Sequence, residues 1–408
     1  MAFWVMTGRG LGGSRRRGSS SGCPWREIGV DYYFSEQQEL LRRSVAEFVD
    51  KEVVPAAAQI DEEGQFPASL FQKAAELGYL GIRYPAEYGG TEGDNVMFTL
   101  MCEELARGSM SLAASVSMQC LMGTDFVYRF GTEEQKQRLL APAIRGEKLG
   151  VIAMTEPDAG SDLGAIKTTA RRDGDDYVLN GRKLWITNAA LAAFFTVAAK
   201  TDPQAGFKGI DMFLVERETP GVSIGRDIAK MSVLGQGAGE LVLEECRIPA
   251  DHLFGQEGTG SRNLEALLAE IRIMMGSLSI GLGRAALDAA VNYSQERIQF
   301  GRPIASFQAV SHRLADMATQ LEAARLMVYR AASLLDRGVR DMKLASMAKL
   351  FASEMANQVA DGASRVFASY GLAAEYPVQR YFRDARFLLL GGGTSEVLRG
   401  IIARQMGL

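Results

Sequence analysis

Beyond residue 34, apolar positions recur at helical spacing. Leu40, Leu41, Val45, Phe48 and Val49 lie on one helical face, and Ser35 with Gln38 three residues later forms a capping box at its start. The same period predicts helices over residues 67–77, 95–107, 109–130 and 132–144, with the turn-rich YPAEYGG (residues 84–90) between them. After about Gly150 the period changes to two. DDYVLNGRKLWITNA reads as two strands around an Asn180-Gly181 hairpin turn, and FFTVAAKT, GIDMFLVERE, GVSIGRDI and GELVLEECRIP read as further strands. From Ser261 the helical period returns. Leu314, Ala318, Leu321, Ala324, Val328, Ala331 and Leu335 mark one stripe, and further helices are expected over 341–370 and 395–406. The pattern therefore predicts an α+β multidomain chain: a helical domain (31–150), an all-β domain (151–255) and a helical bundle (256–408).

Composition narrows the function. The net charge is −4, with 45 basic and 49 acidic residues, which argues against nucleic acid as a partner. Two histidines, His252 and His312, leave little material for a histidine metal site or a Ser-His-Asp triad, so no metal is expected. Four dispersed cysteines without a CxxC pair fit a reducing compartment. The longest apolar run, around residues 189–199, is too short to span a bilayer, so no membrane span is expected. Residues 1–30 are rich in Arg, Ser and Gly and lack acids until Glu27. Two readings stand: a mitochondrial transit peptide, implying the matrix, or a disordered extension of a bacterial cytoplasmic protein.

Four segments carry the chemistry: MTEPDAGSD (154–162), WITNA (185–189), ERIQFGRPIASFQ (296–308) and RDARFLLLGGGTSE (383–396). A flavin needs hydrogen bonds along its pyrimidine edge, an apolar cover and donors for its pyrophosphate. Met154 and Thr155 offer backbone donors and a hydroxyl, Trp185 a flat apolar surface, and Arg297 a guanidinium suited to a phosphate. Each also has a plainer reading, as a core aromatic, a turn cap or a helix-end cation. Together, in this order and spacing, the four segments resemble the acyl-CoA dehydrogenases over nearly the whole chain from residue 34.

That resemblance implies an N-terminal helical domain, a central β-barrel-like domain and a C-terminal four-helix bundle, assembled as a homotetramer with one FAD per subunit. It implies α,β-dehydrogenation of an acyl-CoA thioester, with electrons passing to an electron-transfer flavoprotein. It places Met154, Thr155, Trp185 and Thr187 around the flavin ring, the Ser161 region on the CoA arm, and Thr394 and Glu396 on FAD. Arg297, Phe300 and Gln308 would reach FAD held by the neighbouring subunit. Where members carry a Q-x-x-G-G segment, this chain reads RVFAS, so Arg365 and Ser369 stand at an altered adenine side.

The other departure is at Gly391-Gly392-Gly393-Thr394. Many members read Tyr-Glu-Gly-Thr here, and the glutamate is the base that takes the α-proton. Gly392 keeps a backbone N–H for the thioester carbonyl and has no side chain to take a proton. The missing side chains are expected to open space for a branched, cyclic or bulky acyl group. In some members the base sits immediately before an arginine that resembles Arg272. Here that residue is Ile271, and Glu270 is one step further back, about 100° round the helix. Glu270, with a pKa raised by an apolar setting, is the candidate relocated base; Asp94 is a weaker one, better read as a helix cap. The alternatives are a non-catalytic flavin- or CoA-binding subunit of a mixed tetramer, and an enoyl-CoA reductase.

Overall fold

The computed structural model describes residues 34–408, so the Arg-rich leader and both readings of it lie outside the described residues. The helical N-terminal part comprises α1 (Glu36–Phe48), α2 (Val54–Glu63), α3 (Ala68–Glu76), α4 (Asn95–Gly108), α5 (Met110–Met118), α6 (Asp125–Phe130), α7 (Glu133–Gln135) and α8 (Ala141–Ile144). The capping box forms: the Ser35 hydroxyl accepts from the Gln38 N–H, and Gln38 reciprocates. Asp94 caps α4 by accepting from Met97 N at 2.6 Å, and it also accepts from Gln38 at 2.7 Å. It is a cap and not a base.

The helix expected over 109–130 is interrupted. A π-helical turn at Gln119–Gly123 separates α5 from α6. Gln119 explains the break: its side chain donates to Lys148 O (2.9 Å) and Ala143 O (3.3 Å) and accepts from Gly150 N (3.0 Å), tying the turn to the first strand. These bonds need the carboxamide to face the sheet, which the added residue per turn allows.

Seven strands form one sheet: β1 (Leu149–Ala153), β2 (Thr169–Asp173), β3 (Asp176–Thr187), β4 (Ala192–Lys200), β5 (Ile210–Glu216), β6 (Val222–Asp227) and β7 (Ala238–Pro249). Their order is β1-β4-β2-β3-β7-β6, with β5 on the other side of β4; β1 runs parallel to β4 and β5 antiparallel to it. The turn expected at Asn180-Gly181 lies elsewhere. The β2–β3 hairpin closes on Asp173 and Asp176, with Gly174 left-handed at φ +66°, and β3 runs on through Asn180-Gly181. Gly181 serves a close approach instead: a Cβ there would meet Thr168 Oγ1 at 2.3 Å. Aromatic and β-branched side chains such as Phe195, Val197, Phe213 and Ile248 fill the inner face.

The C-terminal helices are α9 (Gly260–Glu296), α10 (Gln308–Asp336), α11 (Met342–Phe367), α12 (Val378–Leu390) and α13 (Ser395–Gln405). α9 packs on α11, α4 and α10 and joins the two helical parts. It also revises the reading of the apolar runs: α9 is long and apolar enough to cross a membrane by composition, yet 89% of its most apolar window is buried inside the fold. Between α9 and α10 a small hairpin, Ile298–Gln299 with Arg302–Pro303, turns on Phe300 and Gly301, both at positive φ. Among the described residues the three cysteines, Cys102, Cys120 and Cys246, are free and buried, and no group of ligands for a metal ion is found.

Candidate active site

The end of β1 and the middle of β3 build one wall of a groove. β3 bulges against β7 between Lys183 and Ile186. Leu184 leaves the ladder and donates its N–H to Thr155 O at 2.8 Å, which holds the 154–155 segment across β3. Trp185 takes φ +61° and stands 53% exposed, a costly backbone for a bulky residue and an exposed position for a large aromatic. The next positive φ is at Asn188 (+52°), whose carboxamide oxygen accepts from Gly237 N at 3.0 Å. Met154, Thr155, Trp185, Thr187 and Asn188 line the groove, and Met118 and Met122 face them from the helical part.

Beneath this wall lies a pair that sequence reasoning missed. Lys183 is fully buried, and its Nζ donates to Glu156 Oε1 at 2.8 Å and to Met154 O at 3.1 Å. Glu156 also accepts from the backbone of Lys167 and Thr168. Burial pulls the Lys183 ammonium down to about 8 against the opposing pull of Glu156. The pair fixes where Met154 and Thr155 point. A lysine inside an otherwise alternating strand was the available signal.

The donor set fits a flavin. The Thr155 and Thr187 hydroxyls line the groove without a protein hydrogen-bond partner among the described residues, beside the exposed indole of Trp185. That supplies the polar edge and the apolar cover a flavin needs.

The triple glycine closes the end of α12. Gly391 caps that helix, and Gly392 (φ +71°) and Gly393 (φ +103°) turn left-handed before Thr394, whose hydroxyl accepts from Val397 N and caps α13. Among the described residues the Gly392 N–H has no backbone acceptor. A Cβ at 392 would meet Met275 Cγ at 3.0 Å and Ile271 Cγ2 at 3.5 Å. Met275 therefore takes up part of the room expected from the missing side chains: it crowds Gly391 as well, with Phe387 beside it. Ile271 and Met275, one turn apart on α9, are thus the side chains that border Gly392. Neither position carries a carboxylate.

Glu270 is turned away into a buried cluster of arginines. It pairs with Arg83, with Arg129 at 2.8 Å and with Arg340 at 3.3 Å, while Arg129 also pairs with Asp125 at 2.9 Å. Burial pushes the Glu270 carboxyl up, but Arg83 and Arg129 outweigh it and hold it below the usual carboxylate range. The expected raised pKa is thus reversed, because the neighbours that decide it come from α6 and from the loop after α3. As a base Glu270 is corrected to an ion-pair anchor. Asp125 in the same cluster is pushed up to about 6, by burial first, against the pull of Arg83 and Arg129.

The remaining candidates lie apart from the groove within one subunit. Arg297 stacks over the Tyr370 ring at 5.6 Å, Phe300 is 93% exposed at the hairpin tip, and Gln308 opens α10. Arg365 pairs with Asp361 at 2.6 Å and shares a shallow surface groove with Arg313 and Gln358; Ser369 is exposed nearby. Ser161 is exposed on the loop after β1, and Glu396 is exposed one turn from Arg399. Arg272 is buried on α9.

Three family models cover this chain in order: the acyl-CoA dehydrogenase N-terminal domain over residues 35–147, the middle domain over 151–246 and the C-terminal domain over 258–407. The chain belongs to the acyl-CoA dehydrogenase family. It is a flavoprotein oxidoreductase whose cofactor is FAD. Benzylmalonyl-CoA dehydrogenase of Aromatoleum aromaticum is 49% identical over 92% of this chain and 100% of its own length. The caffeyl-CoA reductase–Etf complex subunit of Acetobacterium woodii is 40% identical over 92% and 99%. Butyryl-CoA dehydrogenase from Megasphaera elsdenii superposes with a TM-score of 0.89 at 35% identity, covering 92% of this chain and 99% of the other.

Proposed function

We propose that this acyl-CoA dehydrogenase oxidises an acyl-CoA thioester at Cα–Cβ without an enzyme carboxylate at either usual base position. The observation that carries this reading is the nearness of Ile271 to Gly392, where an added Cβ would lie 3.5 Å from Ile271 Cγ2: the two positions that supply the base in the resembling family adjoin here, and neither carries a carboxylate. When bound, FAD supplies the two-electron acceptor for the hydrogen that leaves Cβ. Met154, Thr155, Trp185 and Thr187 hold the flavin ring, with Trp185 covering one face. The Gly392 N–H takes the thioester oxygen and stabilises charge that develops there, a role that needs no side chain. Ser161 contacts the CoA arm, and Thr394 and Glu396 contact FAD.

The subunit assembles as a homotetramer in which Arg297, Phe300 and Gln308 cover FAD of a neighbour. A phenylalanine left 93% exposed on a rigid hairpin supports this. Electrons pass to an electron-transfer flavoprotein, in keeping with the Etf-complex relative. The benzylmalonyl-CoA relative favours a substrate of its kind, an aryl-bearing thioester with a carboxylate on Cα. The caffeyl-CoA relative favours a second reading, reduction of an enoyl-CoA, in which Cβ takes a hydride and Cα takes a proton from solvent, so that no enzyme base has to abstract one.

The test is anaerobic titration of the purified yellow protein with a panel of acyl-CoAs. Bleaching by a saturated thioester supports dehydrogenation. Reoxidation of the reduced protein by enoyl-CoAs alone supports the reductase. Bound FAD that responds to neither identifies a non-catalytic subunit, and a protein that binds no FAD refutes the reading.

A further inference from the structure

Two buried cations lie by the triple-glycine turn, and among the described residues no carboxylate forms an ion pair with either. Arg272 is 5% exposed; among the described residues its Nε has no hydrogen-bond partner, and its guanidinium touches the thioether of Met342. Lys349, on α11, is fully buried and donates to Gly393 O at 2.8 Å and to Leu389 O at 3.4 Å. Burial draws the Lys349 ammonium down to about 8 against the opposing pull of Glu354; Arg272 repels it further, and Glu396 opposes that least of all. Burial likewise draws Arg272 down to about 10, against Glu265. Glu265 and Glu396 are exposed, Glu354 pairs with Arg399 at 3.3 Å, and none of the three forms an ion pair with either buried cation. Buried charges are normally paired, because an unanswered one bears the full desolvation penalty. Arg272 directly follows Ile271, which borders Gly392, and Lys349 donates to the carbonyl of Gly393. The missing counter-charge therefore belongs at the point where other members place a glutamate.

We propose that Arg272 and Lys349 receive a carboxylate that the substrate itself carries on Cα, and that loss of CO2 replaces abstraction of the α-proton. The inference rests on the dehydrogenase reading above and names its substrate class, a 2-carboxyacyl-CoA. The Cα–carboxylate bond breaks, CO2 leaves, and the bonding electron pair stays on Cα as the thioester enolate, with its charge on the oxygen that the Gly392 N–H faces. No enzyme base is consumed. With a hydrogen on Cβ the pair is available to form the Cα–Cβ double bond; without one it takes a proton from solvent. A guanidinium that binds the carboxylate also stabilises it against CO2 loss. Arg272 is therefore a specificity-determining residue, not a source of rate.

The experiment uses the FAD-loaded protein and two probes. Phenylmalonyl-CoA has no hydrogen on its β-carbon, so it can lose CO2 without any oxidation. The second probe is a pair of thioether analogues lacking the reactive carbonyl, S-(2-carboxy-3-phenylpropyl)-CoA and S-(3-phenylpropyl)-CoA, compared by calorimetry. The expected results are CO2 and α-deuterated phenylacetyl-CoA in D2O at least a hundredfold above buffer, and at least tenfold tighter binding of the carboxylated thioether. R272Q should abolish that preference and raise KM for phenylmalonyl-CoA more than it lowers kcat, and R272K should keep part of the preference. Should R272Q lose its FAD, the two wild-type measurements and R272K still decide. No CO2 release, or equal binding of the two thioethers, overturns the inference. If plain 3-phenylpropanoyl-CoA nevertheless bleaches the flavin, the dehydrogenase reading survives. CO2 release with no bleaching by any thioester has the opposite meaning: the carboxylate receptor stands and the dehydrogenase reading falls.

Discussion

Glu270→Gln separates two roles for the one carboxylate on α9 that lies next to the site. The substitution keeps shape and removes charge. In the folded protein Glu270 answers Arg83, Arg129 and Arg340 together, and its side chain is only 7% exposed. Removing one partner of a buried ion pair costs about 3–5 kcal/mol. Asp125 softens the loss: it already pairs with Arg129 and lies 4.0 Å from Arg83, and with Glu270 neutral its own raised pKa falls and it takes over part of the pairing. The lower figure, about 3 kcal/mol, is therefore expected. With an unfolding entropy of roughly 2.1 cal/mol/K per residue over about 375 residues, that is about 4 °C in Tm. The assay is calorimetric melting of wild type and variant beside anaerobic bleaching rates at a temperature where both are folded. The expected outcome is a lower Tm with a bleaching rate within a few-fold of wild type. An unchanged Tm with bleaching slowed by roughly a hundredfold, the loss typical of a general base, would refute the ion-pair account and restore Glu270 as the base.

Other substitutions should sort the site in the same way. Gly392→Ala should destabilise by roughly 1–2 kcal/mol, because a left-handed backbone penalises any Cβ and this one meets Met275 at 3.0 Å; equilibrium unfolding measures it. Lys183→Met leaves Glu156 buried without its cation, so FAD content of the purified protein should fall together with a stability loss of about 3–5 kcal/mol. Asp94→Ala should cost about 1 kcal/mol through the lost cap and leave bleaching rates unchanged, which distinguishes a cap from a base. The Lys349 ammonium, drawn by burial to about 8 from 10.5, binds its proton less well folded than unfolded. Its contribution to stability is thus fully present above about 10.5 and lost as pH falls through about 8. Stability of wild type relative to Lys349→Met should therefore rise between pH 7 and pH 10, and a flat difference would contradict it.

The chain's own pattern determined the α, β, α order, the capping box at Ser35 and the absence of a carboxylate at Gly392. Each is set by local spacing or by side-chain identity, which sequence carries directly. Motifs in register likewise indicated which residues share the groove, since Thr155 and Trp185 lie on adjacent segments that a sheet brings together. Folding had to decide the rest. Whether Glu270 is a base or an anchor depends on Arg83, Arg129 and Arg340, which are 187, 141 and 70 residues away. The Asn180-Gly181 pair looked like a turn because its dipeptide preference is local, yet Thr168 required the glycine for a close crossing of strands. The unanswered cations were equally hidden. Lys349 and Arg272 are single basic residues in apolar helices, and only packing α9 against α11 around Gly391–393 turns them into a site with a missing negative charge.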